Sequence, residues 1–556
     1  MKSGDEIEVQ NIDHLGLVAG IIDEIDLVAQ INQLLGQHPQ EKVSAGHAVK
    51  AMILNGLGFV SGALYMFPKY FEGKACEHLI GLGVKPEYLN DDRLGRVLDQ
   101  LYLKGLSQTF TLIALSAVKK FGVSLSSTHL DSSSFHLHGE YDVNLPEVTF
   151  INKQSTQINA ENLIETKSTK PINITYGYSR DHRPDLKQFI LDLICTGDGD
   201  IPIFLKAASG NEVDSKVFGQ ILLDFRNQVD LDSLMVADCA LYTAANLVLM
   251  KNIKWLCRVP LTLESAKILV SQLSDTEFIK SEIEGYSYVV TYSNYSGVEQ
   301  RWLVVESLPR KLADLSKLEK RIENSEKNAL TKLKKLCDEE FACRKDAMKA
   351  ASQLSEDLKY HNLTEIKVSK AQKINKKQQY KSPSNLKSCY KIQAQLERDR
   401  SAREVEMRSA GRFILATNIL EEKELSNDEM LDEYKAQQSC ERGFGFLKDP
   451  LFFTDSVFLK SPERIEALAM LMGLCLLVYT LAQRQLRACL SASNSKLKNQ
   501  LGKQTSLPTL RWIFQCFQAI HLLVVNGVKK ISNLTEERLW ILYFFPSACR
   551  RYYLID

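Results

Sequence analysis

Tyr434, Gln437, Glu441 and Lys448, in the stretch YKAQQSCERGFGFLK, stand at offsets of 3, 7 and 14 residues from the tyrosine. At about 100° per residue, these side chains fall within roughly 60° of one another around a single helix. A phenol, an amide, a carboxylate and an ammonium on one stripe suit a metal ion, a phosphate and a DNA backbone. Far upstream, Asp131 in STHLDSSSF and Asp238 in LMVADCALYT each follow a short apolar, strand-like run. Three such carboxylates point to metal-dependent phosphodiester chemistry. Two divalent ions about 4 Å apart can activate the nucleophile and stabilise the departing oxygen. Hard oxygen ligands select Mg²⁺ or Mn²⁺. In this scheme Asp131 bridges both ions, and Asp238 and Glu441 each hold one. Lys448, two turns beyond Glu441, can meet a phosphate as a point charge, and Tyr434 can stack on or hydrogen-bond to the DNA backbone, although an exposed helix lysine and a core tyrosine explain each of them taken singly.

Other residues compete for chemical roles. His136 and His138 follow Asp131 and can line the site, although an outgoing strand with alternating polar residues explains them equally well. Arg180, His182 and Arg183 form a polar turn before a strand, structural or facing DNA. The Ser132–Ser134 run has no histidine at an interpretable spacing, which argues against serine nucleophilic catalysis. Trp255 and Trp302 can receive a flipped base, but strand packing is the simpler expectation. The twelve cysteines show no paired metal spacing, so zinc is not expected and reduced cytosolic thiols are. Cys440, beside Glu441, reads as packing.

The elements that must position these groups follow from the change of hydrophobic period. Residues 1–120 read as helical, over Leu15–Leu35, Ala45–Val60 and Arg93–Lys120, and suit binding of DNA ends or dimerisation. From Leu125 the period shortens. Ser127–Asp131, Ile174–Tyr178, Gln188–Cys195 and Ile201–Leu205 read as strands, with the TGDGD turn between the last two. A helix over Ser215–Asn227, a strand ending at Ala237, a helix near Thr243–Met250 and a strand at Trp255–Val259 follow. Strands first, then alternating helix and strand, predict a mixed α/β fold with a ribonuclease-H-like core over 121–260 and 411–460.

The offset of 203 residues from Asp238 to Glu441 requires an insertion, 261–410. It opens with a β-rich stretch at 278–307. A long charged helix follows over 309–358, carrying Leu315, Ile322, Ala329, Leu336 and Cys343 at heptad steps. Residues 359–412 then carry net +9, including Lys370, Lys373, Lys376 and Lys377. Inside a nuclease-like core such a run predicts phosphate contact. Between Arg484 and Lys530 there are eight basic residues and no acid, on helices such as Leu510–Val525 whose apolar faces also suit oligomer packing. The net charge of +1 over the 556 residues does not announce a nucleic-acid binder, so these local surfaces carry the expectation. The apolar stretch Ala467–Ala482 falls short of the roughly 20 residues that span a bilayer and reads as a buried helix in the helical region 461–556.

The spacing of Tyr434, Gln437, Glu441 and Lys448 resembles the signature of DDE-type insertion-sequence transposases marked by Tyr, Arg, Glu and Lys, with Gln437 where arginine is usual. TYGYSRDHRPDLKQ, FLKAASGNEVDS, FILATN and FLKSPERIEALAML also resemble that family, so the similarity spans most of 120–490. It implies a DNA transposase that cuts at the ends of its own element and joins them to target DNA, with Asp131, Asp238 and Glu441 as catalytic acids. Implied with it are double-stranded DNA as partner, a homodimer in the active complex, and a cytoplasmic, DNA-associated, prokaryotic setting without a membrane. The alternatives are a transposase-derived DNA-binding protein that has lost its chemistry and a simple metal-dependent nuclease on the same fold.

Overall fold

The computed structural model describes residues 7–60, 62–138, 141, 170–229, 231–372, 388–449 and 459–555. The chain divides into two compact units, residues 1–256 with 432–556, and residues 257–431.

The first unit opens with strand β1 (Ile7–Asn11) and helices α1 (Leu15–Glu24), α2 (Leu27–Leu35) and α3 (Ala45–Gly56). The predicted helix over Leu15–Leu35 breaks at Asp26, whose φ of 54° interrupts the hydrogen-bond ladder. Ser44 caps α3 by accepting from the His47 N–H. The predicted helix over Arg93–Lys120 is two, α4 (Asp91–Lys104) and α5 (Leu106–Phe121), bent by 91°. Gly105 sits at the corner with φ 95°, a conformation that a side chain would strain.

Next come β2 (Ser127–Leu137), β3 (Lys187–Thr196), β4 (Pro202–Ser209), helix α6 (Asp214–Gln228), β5 (Leu234–Ala237) and helix α7 (Ala244–Leu249). These strands stand in the order β4-β3-β2-β5. The pairs β2–β3 and β3–β4 are antiparallel, whereas β2 and β5 run parallel. The mixed α/β expectation is met, with one correction. Ile174–Tyr178 is not a strand; only Thr175 forms a bridge, to Gln188. β5 is therefore the fourth strand after the N-terminal helices. Strand β6 (Trp255–Val259) carries the chain into the second unit.

In that second unit β7 (Ile279–Lys280), β8 (Tyr286–Tyr295) and β9 (Val298–Ser307) make the predicted β-rich stretch. The predicted long helix is two, α8 (Leu308–Asp338) and α9 (Arg344–Glu356), folded back on each other around Leu336, Phe341, Ala347, Ala351 and Ile392. Of the heptad residues, Ile322, Ala329 and Leu336 are buried within this unit. Strands β10 (His361–Gln372) and β11 (Ser388–Arg398) pair as an antiparallel hairpin, and β12 (Arg412–Thr417) pairs with β9. Much of the predicted basic surface is used internally. Arg398 lies 2.8 Å from Glu326 and 3.2 Å from Glu319, and Lys359 lies 2.9 Å from Glu406. Arg412 is buried, 3.0 Å from Glu306. Lys370 is exposed; Lys373, Lys376 and Lys377 lie outside the described residues.

Helices α10 (Asn427–Ala436) and α11 (Gln438–Leu447) return the chain to the first unit. Helix α12 (Pro462–Ala492) runs through its core, against α1, α3, α4 and α5. By length and composition α12 can cross a membrane, but 89% of its most apolar window is buried inside the protein. The apolar stretch is thus a packed core helix. Each fully buried leucine along it contributes roughly 1.5–3 kcal/mol. The predicted helix Leu510–Val525 is shorter: α13 covers Leu510–Cys516, and His521–Val525 is strand β13, paired with β1. The segment HLLVV is rich in β-formers, and β1 supplies a partner that local sequence does not reveal.

Candidate active site

Backbone register brings the two aspartates together. In the parallel pairing of β2 with β5, Leu130 stands opposite Ala237 as the last pair, and Asp131 and Asp238 directly follow it on their two chains. Asp238 ends its strand and accepts a 2.8 Å hydrogen bond from the Ala240 N–H, which orients its carboxylate at the mouth of the strand. Asp131 sits mid-strand, its side chain 17% exposed. Burial pushes the Asp131 carboxyl up to about 7; the Arg180 guanidinium pulls it down, and the charge of Asp238 adds to the rise.

The helix carrying Glu441 lies along the same strand. Alternation places His129, Asp131, Ser133 and Phe135 on one face of β2. On that face the Phe135 ring lies 6.4 Å from Phe444 of α11. The Cys440 thiol donates to the His129 carbonyl at 3.0 Å, so the cysteine beside Glu441 packs, as expected. Gly443 lets the helix approach closely: a Cβ there would stand 3.2 Å from both Leu193 and Leu476. His129, buried and lowered to about 4 by desolvation, is neutral, so its 3.8 Å approach to Glu433 is no ion pair at neutral pH. Glu441 is exposed at the start of α11, and Tyr434, Gln437 and Lys448 are half-buried. The helical stripe is interrupted at Gln437, which caps α11 after a tight turn in which its N–H donates to the Tyr434 carbonyl. Tyr434 and Gln437 thus precede that turn, and Glu441 and Lys448 follow it.

Among the described residues, no three His, Cys, Asp or Glu side chains are grouped closely enough to hold a metal ion. The neighbour of Asp131 is instead Arg180. Its Nη1 lies 3.6 Å from the Asp131 carboxylate, its Nη2 donates to Ser132 Oγ at 2.8 Å, and it also contacts the Asp214 carboxylate at the start of α6. The adjacent residue, Asp181, accepts from Lys448 Nζ at 2.6 Å and lies 3.5 Å from His136 Nδ1. His136 also bonds Ser179 at 2.9 Å. The polar turn therefore reaches both the aspartates and the lysine of the signature helix. His138 is exposed, and Trp255 and Trp302 are buried, so neither tryptophan receives a base.

Asp192 and Asp214 were not anticipated. Asp192 lies opposite Ser132 on β3 and is fully buried. Burial, with the nearby charge of Glu212, pushes it up to about 8. Glu212 and Asp214 stand in FLKAASGNEVDS, a segment already singled out by resemblance, so the signal existed without a role attached to it.

A domain of unknown function, DUF4277, matches residues 7–115, less than half of the chain. No curated protein matches. A cryo-EM structure of the piggyBac transposase synaptic complex with hairpin DNA matches at 7% identity and a TM-score of 0.37, over 98% of this chain and 84% of that one. A likeness that loose supports no argument about fold or function.

Proposed function

We propose that the chain is a DNA transposase with a ribonuclease-H-like core, cutting and joining phosphodiesters with Asp131, Asp238 and Glu441. The observation that best supports this reading is the β2–β5 register, in which Asp131 and Asp238 directly follow the last paired residues, Leu130 and Ala237. The strand order β4-β3-β2-β5, with the first acid on its first strand in sequence and the second at the end of its fourth, supports the core assignment. The donor set would suit Mg²⁺ or Mn²⁺, since hard carboxylates are the appropriate ligands, and Asp131, Asp238 and Glu441 are the residues that would hold the ions. Bound there, two ions would lower the pKa of the attacking hydroxyl and offset charge on the leaving oxygen.

The remaining roles belong to the chain itself. Asp238, held by the Ala240 N–H, keeps a fixed carboxylate orientation. The Cys440 hydrogen bond and the glycine contact at Gly443 set how closely Glu441 approaches β2. Lys448 supplies a positive charge to a phosphate, and Tyr434 and Gln437 contact the flanking backbone. The partner is double-stranded DNA, engaged by a homodimer in a cytoplasmic, prokaryotic setting, with Lys370 and its neighbouring lysines as a further grip. A binding-only reading is favoured because, among the described residues, no three acids are grouped closely enough to hold an ion. Incubating the chain with Mg²⁺ and duplex spanning the ends of its coding element separates the two. Specific nicking at those ends, lost in Asp131→Asn with duplex binding retained, is expected. Absence of cleavage by the parent chain on any end sequence, with binding intact, would leave the binding protein.

A further inference from the structure

Two consecutive residues, Arg180 and Asp181, make opposite contacts at the two halves of this site. Arg180 places a guanidinium 3.6 Å from Asp131, on the carboxylate assigned to a divalent cation. Asp181 places a carboxylate 2.6 Å from Lys448, on the ammonium assigned to a phosphate. The cation is anchored from a second side by Asp214 and by Ser132, and the anion lies 3.5 Å from His136. The Arg180 N–H also bonds Ser134 Oγ at 3.3 Å, and the Gln188 amide donates to the Tyr178 carbonyl at 3.2 Å, so the segment is tied across β2 and β3. At the turn His182 has φ 57°, a left-handed conformation uncommon for a side-chain-bearing residue.

From this charge pattern we infer that residues 178–183 are an internal stand-in for metal and DNA, closing the site in the free chain. Arg180 occupies the cation side of Asp131, and Asp181 occupies the phosphate position at Lys448. Entry of a divalent ion and a DNA phosphate exchanges both partners, and the segment lifts. The inference rests on the metal-dependent reading proposed above and adds a gate to it.

The gate is read by binding rather than turnover. Mn²⁺ affinity of the full chain, followed by electron paramagnetic resonance of the free ion at about pH 8, where protonation of Asp131 competes least, should tighten by about tenfold or more in Arg180→Ala, because a competing positive charge leaves Asp131. Asp181→Asn removes the carboxylate that Lys448 meets and leaves its charge available to one more phosphate. A short fluorescein-labelled duplex should then bind roughly fivefold or more tightly at 0.1 M salt, with a salt slope steeper by about 0.9. Unchanged or weaker Mn²⁺ binding in Arg180→Ala, with the parent binding Mn²⁺ through Asp131 and Asp238, overturns the gate and leaves the metal reading standing. Parent Mn²⁺ binding that survives Asp131→Asn with Asp238→Asn overturns the metal reading, and the gate with it. If Arg180→Ala does not fold, Arg180→Gln repeats the measurement with a neutral, polar side chain in place of the guanidinium. An unchanged slope in Asp181→Asn removes the phosphate half of the inference.

Discussion

Replacing Asp192 by asparagine should stabilise the protein at neutral pH and do little in acid. Asp192 is fully buried on β3, and among the described residues neither carboxyl oxygen has a hydrogen-bond partner. Burial first, and the Glu212 charge next, push its carboxyl up to about 8 from an ordinary 3.8, with Lys206 and Arg180 pulling only partly back. Folding thus raises this pKa. Between about pH 4 and pH 8 the folded chain holds a proton that the unfolded chain has released, so stability is full in acid and falls as pH rises through that window. At about 1.4 kcal/mol per pH unit, the cost at pH 7 is about 4 kcal/mol, and at pH 4.5 only about 1 kcal/mol. Asparagine keeps the shape and never ionises, but its extra unmade N–H bond costs about 1 kcal/mol. The expected net gain is therefore about 3 kcal/mol at pH 7 and about zero at pH 4.5. Urea unfolding followed by tryptophan fluorescence at the two pH values checks it, read as the midpoint shift at constant slope. A gain of equal size at both pH values, or none at pH 7, would refute the reasoning.

Glu441→Gln should reduce Mg²⁺-dependent end cleavage by orders of magnitude while gel-shift binding to the same duplex persists, since it removes a ligand charge but leaves the DNA-facing groups in place. Changing Lys370, Lys373, Lys376 and Lys377 together to alanine should weaken duplex binding and flatten its salt dependence, by up to roughly 0.9 for each phosphate that the variant no longer neutralises, measured by titration at several salt concentrations. Far-ultraviolet circular dichroism should stay unchanged in that variant, because Lys370 is exposed. Gly20→Ala should destabilise the first unit by about 1–3 kcal/mol in urea, through overpacking. A Cβ at Gly20 would stand 2.3 Å from the Cys549 Cα, which is backbone and cannot swing aside.

Much of the first unit is legible in the sequence because its signals are local. The run STHLDSSSF, the TGDGD turn and the apolar LMVA carry a two-residue period or a turn chemistry that needs no distant partner, and β2, β3, β4 and β5 appear where they predict. Expectation and structure part where a tertiary partner decides. Ile174–Tyr178 has a strand-like composition but forms only one bridge, because the neighbouring edge is used by Thr175 alone. The helix predicted over 309–358 carries no Gly or Pro at residues 339–343. It breaks there because Phe341 exchanges two 2.9 Å backbone hydrogen bonds with Tyr390, some 49 residues away in sequence. The basic run 359–412 predicts phosphate contact, yet Arg398 is met by Glu319 and Glu326 and Lys359 by Glu406, partners that lie far off in sequence.

The parts of the site differ in the same way. Asp131 and Asp238 are placed by register between two strands, and a one-residue slip would turn every side chain of β2 to the other face. Their adjacency is therefore as firm as the sheet itself. Glu441 is placed by side-chain packing: by the Cys440 hydrogen bond, by Gly443 against Leu193 and Leu476, and by the turn at Gln437. A turn between two helices can change direction at smaller cost than a sheet can change register. Glu441 can thus shift more readily than Asp131 or Asp238. Arg180 and Asp181 belong to the same adjustable layer, since exposed or half-buried ion pairs hold by about 1 kcal/mol or less. Contacts that weak can hold the free chain closed and still yield to a divalent ion and a phosphate.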